Sequence, residues 1–370
     1  MVFKLSELGV KIKELIEPVA AQIDLENVVP EKVLAELGRL GAFRLIVPKE
    51  YGGLGLGFKE YIEVLEEVAG ASVAVAHILL IHSGVVYGIV RYGSEELRKK
   101  YLSRLASGEL IGSIAITEPR GGSDVVGSIE LVAEKSDDGY RLNGFKVFNS
   151  NGIYAGLYLV LARTGPPEMG SKSLSMLLVE RDTGIEPEPM DLTSLRGAGI
   201  SKTRFTDVHI PDGNMLGSEG KGLRIALSII NTGRLGYAAL GVGLAKEVLR
   251  IAIKYASERR AFGKRIADFQ GVRWMLTDLY VGLEHAKRYL HWVAELMDEG
   301  KPVITEVAVS KLYSTTLAVK AARTAIQVHG GRGLERGSKL ERMYRDSKAL
   351  EIGEGTSEIM KVIIAKSILG

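Results

Sequence analysis

The 370-residue chain contains no cysteine. That absence excludes disulfide bonds, thiolate metal sites, iron–sulfur clusters and a cysteine nucleophile. The chain also has no large excess of one charge, since its 48 Lys and Arg residues and 45 Asp and Glu residues give a net charge of +3. So small an excess gives no support for a nucleic-acid partner. Zero cysteine fits a reducing interior or a hot habitat, and our prediction is a cytoplasmic protein.

Long hydrophobic runs are scarce too. Residues 71–90 hold no Asp, Glu, Lys or Arg over 20 positions, which is long enough to cross a membrane. His77 and His82 interrupt this run, and charged helical patterns flank it on both sides. We therefore predict a helix buried in a helical domain and no membrane span. Residues 1–19 alternate Lys and Glu, which is typical neither of a signal peptide nor of a transit peptide.

Three further patterns lack the features of a binding site. The six histidines are not spaced as metal ligands, so we predict no metal and treat His77 and His82 as core residues. Gly241-Val242-Gly243 lacks the strand and the third glycine of a dinucleotide loop, which favours close helix packing. Trp274 and Trp292 lie in apolar helical patterns and are predicted to be in the core.

The composition, the length and the periodicity of the chain predict an α+β fold in three domains. A hydrophobic content of 46% is typical of a globular protein, and 370 residues imply two or three domains. Helical periodicity covers residues 5–107, strand-like segments with turn signals follow, and four long helical segments begin near residue 222. We predict an all-α N-terminal domain over 1–110, a middle antiparallel β domain (a barrel or sandwich) over 111–217, and a C-terminal four-helix bundle over 218–370.

One acidic residue near the C-terminus has unusual neighbours. Glu354 lies between Gly353 and Gly355, and Thr356-Ser357-Glu358 follows before an apolar run. Ser or Thr followed by Glu predicts a helix start, so Glu354 is expected on a tight turn ahead of a helix. Flanking glycines let a ligand approach and leave the carboxylate uncrowded. Taken alone, the pattern is more typical of an ordinary helix connection.

Two segments of the β domain also carry candidate binding groups. The corner Ile116-Thr117-Glu118-Pro119-Arg120-Gly121-Gly122-Ser123-Asp124 offers hydroxyls and successive backbone N–H groups, which suit a polar heterocycle, a thioester or a phosphate. An ordinary β-turn is the alternative. In the strand that ends at Asn151-Gly152, Phe148 and Ser150 are expected on one face, where they could hold a flat ring. A plain hairpin would show the same pattern.

Six motifs occur in one order along the chain and resemble the acyl-CoA dehydrogenase family of flavoproteins. Besides the corner at Thr117, the strand end at Phe148 and the Glu354 turn, they are the Ser257-to-Gly263 turn, Gln270, and the stretch Gln327-Val328-His329-Gly330-Gly331. The resemblance covers essentially the whole chain. It implies FAD between the β domain and the bundle. The cofactor-binding residues that it implies are Ile116, Thr117, Gly122, Ser123, Phe148, Ser150, Arg259, Phe262, Gln270, Gln327, Gly330, Gly331, Thr356 and Glu358.

Within that set, the resemblance assigns different parts of FAD. The corner at Thr117 would hold the flavin ring, Phe148 would cover one face where the family usually has Trp, and Ser150 would stand near the reactive nitrogen. Arg259 would meet the pyrophosphate through a charge-assisted contact. Gln270, Gln327, Gly330 and Gly331 would contact the adenosine half of FAD across a subunit interface. Thr356 and Glu358 would complete the cofactor site.

The resemblance further implies that Glu354 is the catalytic base of an acyl-CoA dehydrogenase that forms a trans-2-enoyl-CoA. Ser123, Asn231, Arg234 and Gly355 occupy substrate positions, although an exposed arginine is the default expectation for Arg234. Electrons would pass to an electron-transferring flavoprotein, the assembly would be a homotetramer built as a dimer of dimers, and the role would lie in fatty acid β-oxidation.

Departures from the family pattern leave alternatives open. Gly353 replaces the aromatic residue that short- and medium-chain members often have, which leaves chain preference undecided. Residues 60–90 contain no Lys or Arg, which favours an uncharged acyl chain. The alternatives are a flavin oxidase or monooxygenase of the same superfamily and a non-catalytic scaffold. A basic stretch is expected on a solvated surface, or beside a subunit interface or the CoA entrance: Arg332, Arg336, Lys339, Arg342 and Arg345.

Overall fold

Six helices build the N-terminal part of the protein in the computed structural model, which describes residues 5–181 and 183–370. The first four residues of the predicted N-terminal domain are thus outside the described part. The helices are α1 (Leu5–Ile16), α2 (Ala20–Glu26), α3 (Glu31–Leu40), α4 (Phe58–Ala69), α5 (Val73–Tyr92) and α6 (Glu95–Ser107). Ser72 and Ser94 cap α5 and α6, since their hydroxyls accept hydrogen bonds from Val75 and Leu97 N–H, each at 3.3 Å.

The middle of the chain forms one eight-stranded sheet. Its strands, with the one-turn helix α7 (Val125–Ser128) between the first two, are β1 (Gly112–Ala115), β2 (Val132–Ser136), β3 (Gly139–Asn149), β4 (Leu157–Arg163), β5 (Leu174–Glu180), β6 (Ile185–Pro189), β7 (Ser201–Pro211) and β8 (Met215–Leu216). The strand order is β6-β7-β3-β2-β4-β5-β8, and β1 pairs with β4.

This sheet is mixed, so the prediction of a purely antiparallel domain is wrong in that detail. β1 runs parallel to β4, with Gly112 opposite Leu157, and β2 meets β4 in a parallel bridge at its first residue. Parallel pairing needs a crossover connection, and here α7 and the β2–β3 hairpin lie between the two strands in the chain. β6 lies at one edge of the sheet beside β7, which is where its two prolines are tolerated.

The C-terminal part is helical again, after a small hairpin of β9 (Arg260–Ala261) and β10 (Lys264–Arg265). Its helices are α8 (Gly222–Glu258), α9 (Gln270–Asp298), α10 (Ile304–His329), α11 (Lys339–Ile352) and α12 (Ser357–Leu369). A Cβ on Gly241 would lie 2.9 Å from the Ser314 carbonyl oxygen, and one on Gly243 would lie 2.2 Å from that of Glu66. The predicted close helix packing at these glycines is therefore confirmed.

Two helices, α5 and α8, are long and apolar enough to cross a membrane by length and composition. Their most apolar windows are 89% and 78% buried inside the protein. Packing within the fold thus accounts for the uncharged run at residues 71–90, as predicted. The helical N-terminal region, the central sheet and the helical C-terminal region confirm the predicted fold class, while the boundaries at 110 and 217 stay predictions.

The prediction that Trp274 and Trp292 are core residues is wrong, because they are 60% and 46% exposed. The buried face of α9 carries Leu279, Leu283 and Leu290 instead. The apolar pattern of α9 is therefore wider than the face that packs within one chain, which the sequence alone does not reveal.

The prediction of a solvated basic stretch is also wrong for its second half, which forms α11. Arg342 is 5% exposed and donates to the Ala71 carbonyl at 3.5 Å. Arg345 forms an ion pair with Asp24 at 2.7 Å, and the Asp346 carboxylate accepts a hydrogen bond from Leu195 N–H at 2.7 Å. Charges on this helix therefore tie the N-terminal helices and the loop before β7 to the C-terminal region.

Candidate active site

Glu354 lies on the tight turn that the sequence predicts, between the end of α11 and the start of α12. The Thr356 hydroxyl caps α12 by accepting from Ile359 N–H at 3.3 Å. Glu354 itself has φ +55°, and Gly355 has φ +96°. A non-glycine residue in the left-handed region costs on the order of 1–3 kcal/mol, so the surroundings must hold Glu354 in place.

Two buried cations hold this turn by its backbone. Arg234 on α8 donates from Nε to the Glu354 carbonyl at 3.0 Å. Lys311 on α10 donates from Nζ to the carbonyls of Glu351 at 3.1 Å and Gly355 at 2.7 Å. Arg234 is only 7% exposed, so the default expectation of an exposed arginine is wrong. Since both cations bind carbonyls, the Glu354 carboxylate is left for another partner.

The carboxylate of Glu354 lies against α8 at Gly233. A Cβ at that position would come within 2.5 Å of Oε2, so the glycine leaves the space that the carboxylate fills. Burial raises the pKa of Glu354 to about 7, although the positive charges of Arg234 and Lys311 oppose the rise. A carboxylate with a pKa near neutrality is suited to remove a proton at neutral pH.

The corner at Thr117 follows β1 and is attached to β3. Val147 N–H donates to the Thr117 carbonyl at 2.9 Å, and a Cβ on Gly122 would lie 3.1 Å from Thr117 Cγ2. Ile116 and Thr117 are partly buried, whereas Gly122 and Ser123 are exposed. The corner therefore offers an open edge of backbone and hydroxyl groups beside β3.

A buried ion pair lies beneath this corner. Lys146 Nζ contacts Glu118 Oε1 at 2.7 Å and the Ile116 carbonyl at 3.0 Å. Glu118 also accepts from the N–H groups of Glu130 at 2.6 Å and Leu131 at 3.1 Å. Burial lowers the pKa of Lys146 to about 8, although Glu118 opposes the fall. Sequence reasoning missed this pair; the signal was a lysine at an inward position of an alternating strand.

Phe148 and Ser150 lie at the C-terminal end of β3, on the edge of the site. Phe148 has φ +55° at a bulge in the β3–β7 pairing and is 54% exposed, so regular alternation stops there. The Ser150 hydroxyl lies 2.7 Å from His77 Nε2. His77 is buried, as predicted, and burial lowers its pKa to about 4, so the imidazole is neutral. His82 is likewise buried, and its Nδ1 accepts from Gly112 N–H at 3.2 Å.

The first turn of α12 and one turn of α8 contribute further predicted residues. Thr356 is partly buried and Glu358 is exposed, both immediately after the Glu354 turn. Asn231 precedes Arg234 by about one turn of α8. Its Oδ1 is buried and has no hydrogen-bond partner within the described part of the protein. An orphaned buried acceptor two residues before Gly233 on α8 fits a site completed by a bound molecule.

Other predicted residues lie at a different end of the bundle. The rings of Tyr255 and His329 stack at 4.1 Å and bring the C-terminal ends of α8 and α10 together. Exposed residues gather around this end: Arg259, Phe262, Gln270, Gln327, Gly330 and Gly331. From Arg234 to Arg259 the rise of α8 is about 37 Å. The residues around Arg259 therefore lie far along the bundle from the Glu354 turn.

The residues beside the Thr117 corner fit a flat heterocycle. The exposed Phe148 ring offers an apolar cover, and the open corner at Gly122 offers backbone donors where a Cβ would fill the space against Thr117. No group of three or more His, Asp or Glu side chains in the described ranges could hold a metal ion. The described residues therefore offer an open edge beside β3 and a buried carboxylate on the α11–α12 turn.

Three domain families match consecutive parts of the chain. The N-terminal, middle and C-terminal domains of acyl-CoA dehydrogenase match residues 11–109, 113–208 and 220–369. Together they account for nearly the whole sequence, including every candidate site residue.

Individual relatives are similar over the same span. The chain is 37% identical to acryloyl-CoA reductase (NADH) of Anaerotignum propionicum, over 96% of this chain and 90% of that protein. It superposes on butyryl-CoA dehydrogenase of Megasphaera elsdenii with a TM-score of 0.94, at 30% identity and full coverage of both chains. A chain in the structure described as the electron transferring flavoprotein of Acidaminococcus fermentans gives a TM-score of 0.95, at 29% identity and full coverage of both. The chain therefore belongs to the acyl-CoA dehydrogenase family, whose members are FAD-dependent oxidoreductases acting on CH–CH groups.

Proposed function

We propose that this protein catalyses the α,β-dehydrogenation of an acyl-CoA thioester to the trans-2-enoyl-CoA, with Glu354 as the base that removes the α-proton. The observation that carries the proposal is the Glu354 carboxylate, held over Gly233 with its pKa raised to about 7. A proton α to a thioester is weakly acidic, so its removal needs a positioned base of this kind. FAD, when bound, supplies the acceptor for the hydride that leaves the β-carbon.

Residues of the chain orient the base and the substrate. Arg234 and Lys311 hold the Glu354 turn by its carbonyls, so the carboxylate meets the substrate in one fixed geometry. Asn231, Ser123 and Gly355 are the proposed substrate contacts. We propose an uncharged acyl chain, because residues 60–90 supply no Lys or Arg to pair with a second carboxylate.

An anaerobic titration with a panel of acyl-CoA thioesters tests the proposal. We expect stoichiometric bleaching of the flavin absorbance by at least one uncharged acyl-CoA, with the trans-2-enoyl-CoA as product. The same titration in air separates a dehydrogenase from an oxidase, which would return to the oxidised spectrum with consumption of oxygen. Failure of every thioester to bleach the flavin would contradict the proposal and favour the non-catalytic scaffold.

A second candidate function is the reverse reaction, reduction of a 2-enoyl-CoA. It is favoured by the 37% identity to a relative named acryloyl-CoA reductase (NADH). The same carboxylate would then donate the α-proton rather than accept it. Chemically reduced enzyme mixed with acryloyl-CoA would reoxidise at a catalytic rate if this direction is the physiological one.

We propose a homotetramer built as a dimer of dimers, in which a neighbouring chain completes each cofactor site. The separation of about 37 Å along α8 between Arg234 and Arg259 supports this. Exposed aromatic residues of α9 and α10 offer apolar surface for it, including Trp274, Trp292 and Tyr313. Light scattering on the purified holoenzyme should give four times the monomer mass of 40.1 kDa, and a monomer that retains FAD would contradict the proposal.

Two finer points of the proposal concern metabolism. An electron-transferring flavoprotein is the proposed acceptor, supported by the likeness to a chain in the Acidaminococcus structure of that name. Fatty acid β-oxidation is the proposed role and the cytoplasm the proposed location. Reduction of a purified electron-transferring flavoprotein, measured against reduction of NAD⁺ with each substrate, distinguishes the acceptors.

Arg259→Ala should weaken FAD retention. Arg259 is exposed and is proposed to form a charge-assisted contact with the pyrophosphate, and loss of such a bond weakens binding by about tenfold or more. Flavin content after dialysis measures the effect. Arg260→Ala is the matched control, since the next residue is also an exposed arginine. Equal flavin content in the two variants would contradict the role of Arg259.

Lys311→Met should slow flavin reduction and shift its pH dependence. The change leaves the buried carbonyls of Glu351 and Gly355 without their donor. It also removes a positive charge that lowers the pKa of Glu354. That pKa should then rise, so the pH at which kcat/KM is half-maximal should increase. Lys311→Arg keeps the charge, so its pH profile should shift less. A pH profile unchanged in Lys311→Met would contradict the electrostatic part of this account.

A further inference from the structure

Gly353 directly precedes Glu354, where an aromatic residue is frequent in short- and medium-chain members. Its backbone is no obstacle to a side chain, because φ −64° and ψ 158° are extended values that any residue adopts. Space is the obstacle. A Cβ at 353 would lie 2.3 Å from the Tyr237 hydroxyl oxygen and 2.7 Å from carbons of its ring. An aromatic ring from α8 thus occupies the space that a side chain at 353 would use.

Tyr237 is placed next to the catalytic carboxylate by the helix itself. It follows Gly233 by four residues, so both lie on one face of α8, and Gly233 is the position that the Glu354 carboxylate covers. The ring is only 3% exposed. Burial, and then the negative charge of Glu354, raise the pKa of the Tyr237 phenol above its ordinary value. The residue is therefore a neutral, immobile wall beside the base.

Two more rings extend this wall toward β3. His77 approaches the edge of the Tyr237 ring at 5.6 Å between centroids, while its Nε2 lies 2.7 Å from Ser150. Tyr61 on α4 is 3% exposed, its hydroxyl pairs with Ser83, and it too lies within reach of the Glu354 charge. Tyr237 and His77 thus form a continuous row of rings from Gly353 to Ser150 at the end of β3.

We propose that Tyr237 is the residue that sets acyl-chain length in this enzyme, and that it restricts the enzyme to short, uncharged acyl chains. This inference rests on the proposed dehydrogenation, since the acyl chain must pass Glu354 with its α-carbon at the carboxylate. A longer chain must displace the Tyr237 ring, and a fully packed ring yields little. The wall is contributed by α8 instead of by residue 353, which explains why Gly353 does not imply a widened pocket.

The test compares kcat/KM for butyryl-CoA and octanoyl-CoA. The wild-type enzyme should prefer butyryl-CoA. Tyr237→Val should shift the ratio toward octanoyl-CoA by at least about tenfold, because one methylene group in an apolar pocket is worth about 10- to 200-fold. Tyr237→Phe keeps the ring and should keep the wild-type ratio. Tyr237→Val/Gly353→Tyr returns an aromatic ring to the pocket from the other element and should restore the preference for butyryl-CoA.

The outcomes separate the inference from the proposed function. An active Tyr237→Val enzyme with the wild-type ratio would overturn the inference and leave the dehydrogenation intact, as would a wild-type preference for octanoyl-CoA. A wild-type enzyme inert toward every acyl-CoA would overturn the proposed function and the inference with it. If Tyr237→Val fails to fold, the same ratio of kcat/KM values is measured on Tyr237→Leu, because leucine fills more of the space beside α8.

Discussion

Glu354→Gln should retain the fold and bound yellow FAD while losing reduction of the flavin by acyl-CoA. Glutamine has nearly the same shape and keeps the backbone carbonyl that Arg234 binds, so the turn should survive the change. It has no basic oxygen able to take the α-proton. General-base catalysis contributes about 10²- to 10⁴-fold, so the rate of flavin reduction should fall by that amount. Anaerobic stopped-flow absorbance measures it.

A matched control lies in the last turn of α11, just before the Glu354 turn. Glu351→Gln is an equally conservative change three residues earlier in the chain. The Glu351 side chain forms an ion pair with Lys348 at 2.7 Å. Lys348 is 66% exposed in this pair, and such solvated pairs contribute little, so reduction should stay near the wild-type rate. A Glu354→Gln enzyme as fast as this control would show that another group removes the proton.

The pH dependence of the wild-type enzyme follows from the same carboxylate. Its pKa is raised to about 7, and only the deprotonated form accepts a proton. kcat/KM should therefore be low well below pH 7, rise through pH 7 and level off above it, since this parameter reports the free enzyme. A profile flat from pH 5 to 8 would mean that no group with the pKa of Glu354 controls the reaction.

Local sequence signals were sufficient for much of this site. The turn at Glu354 could be predicted because Thr356 caps the following helix, and a cap is formed within a few residues. Ser72 and Ser94 cap α5 and α6 through equally local hydrogen bonds. Contacts between distant residues could not. Arg234 and Lys311 reach the turn across 120 and 40 to 44 residues of sequence, and nothing local marks them as its partners.

Errors in the predicted fold also have physical causes. Four long helical segments were predicted from residue 222 onward, whereas the structure has five helices there. The additional helix, α11, is charged on most faces, and its charges are buried by partners such as Asp24 that lie elsewhere in the chain. Trp274 and Trp292 were placed in the core because the exposed apolar residues of α9 follow the same helical periodicity as the buried ones. The middle sheet was predicted as antiparallel because β1 meets β4 only after an intervening hairpin.

Lys146→Met should destabilise the protein by about 3–5 kcal/mol, since removal of one partner leaves the other charge buried and unpaired. Both side chains are enclosed, at 0% and 3% exposure, and Glu118 is anchored by the N–H groups of Glu130 and Leu131. The carboxylate cannot turn to water without breaking those bonds. Chemical denaturation of the FAD-free protein measures the loss.

The same change should also release FAD, because Lys146 holds the Ile116 carbonyl at the corner proposed to bind the flavin. Lys135→Met is the matched control. Its ion pair with Asp212 lies on the surface of the same sheet, with both side chains more than half exposed, and such pairs contribute about 0–1 kcal/mol. Lys135→Met should keep both wild-type stability and wild-type flavin content. If Lys146→Met were no less stable than this control, the buried pair would not be what holds the corner in shape, and the proposed role of Lys146 in FAD binding would be wrong.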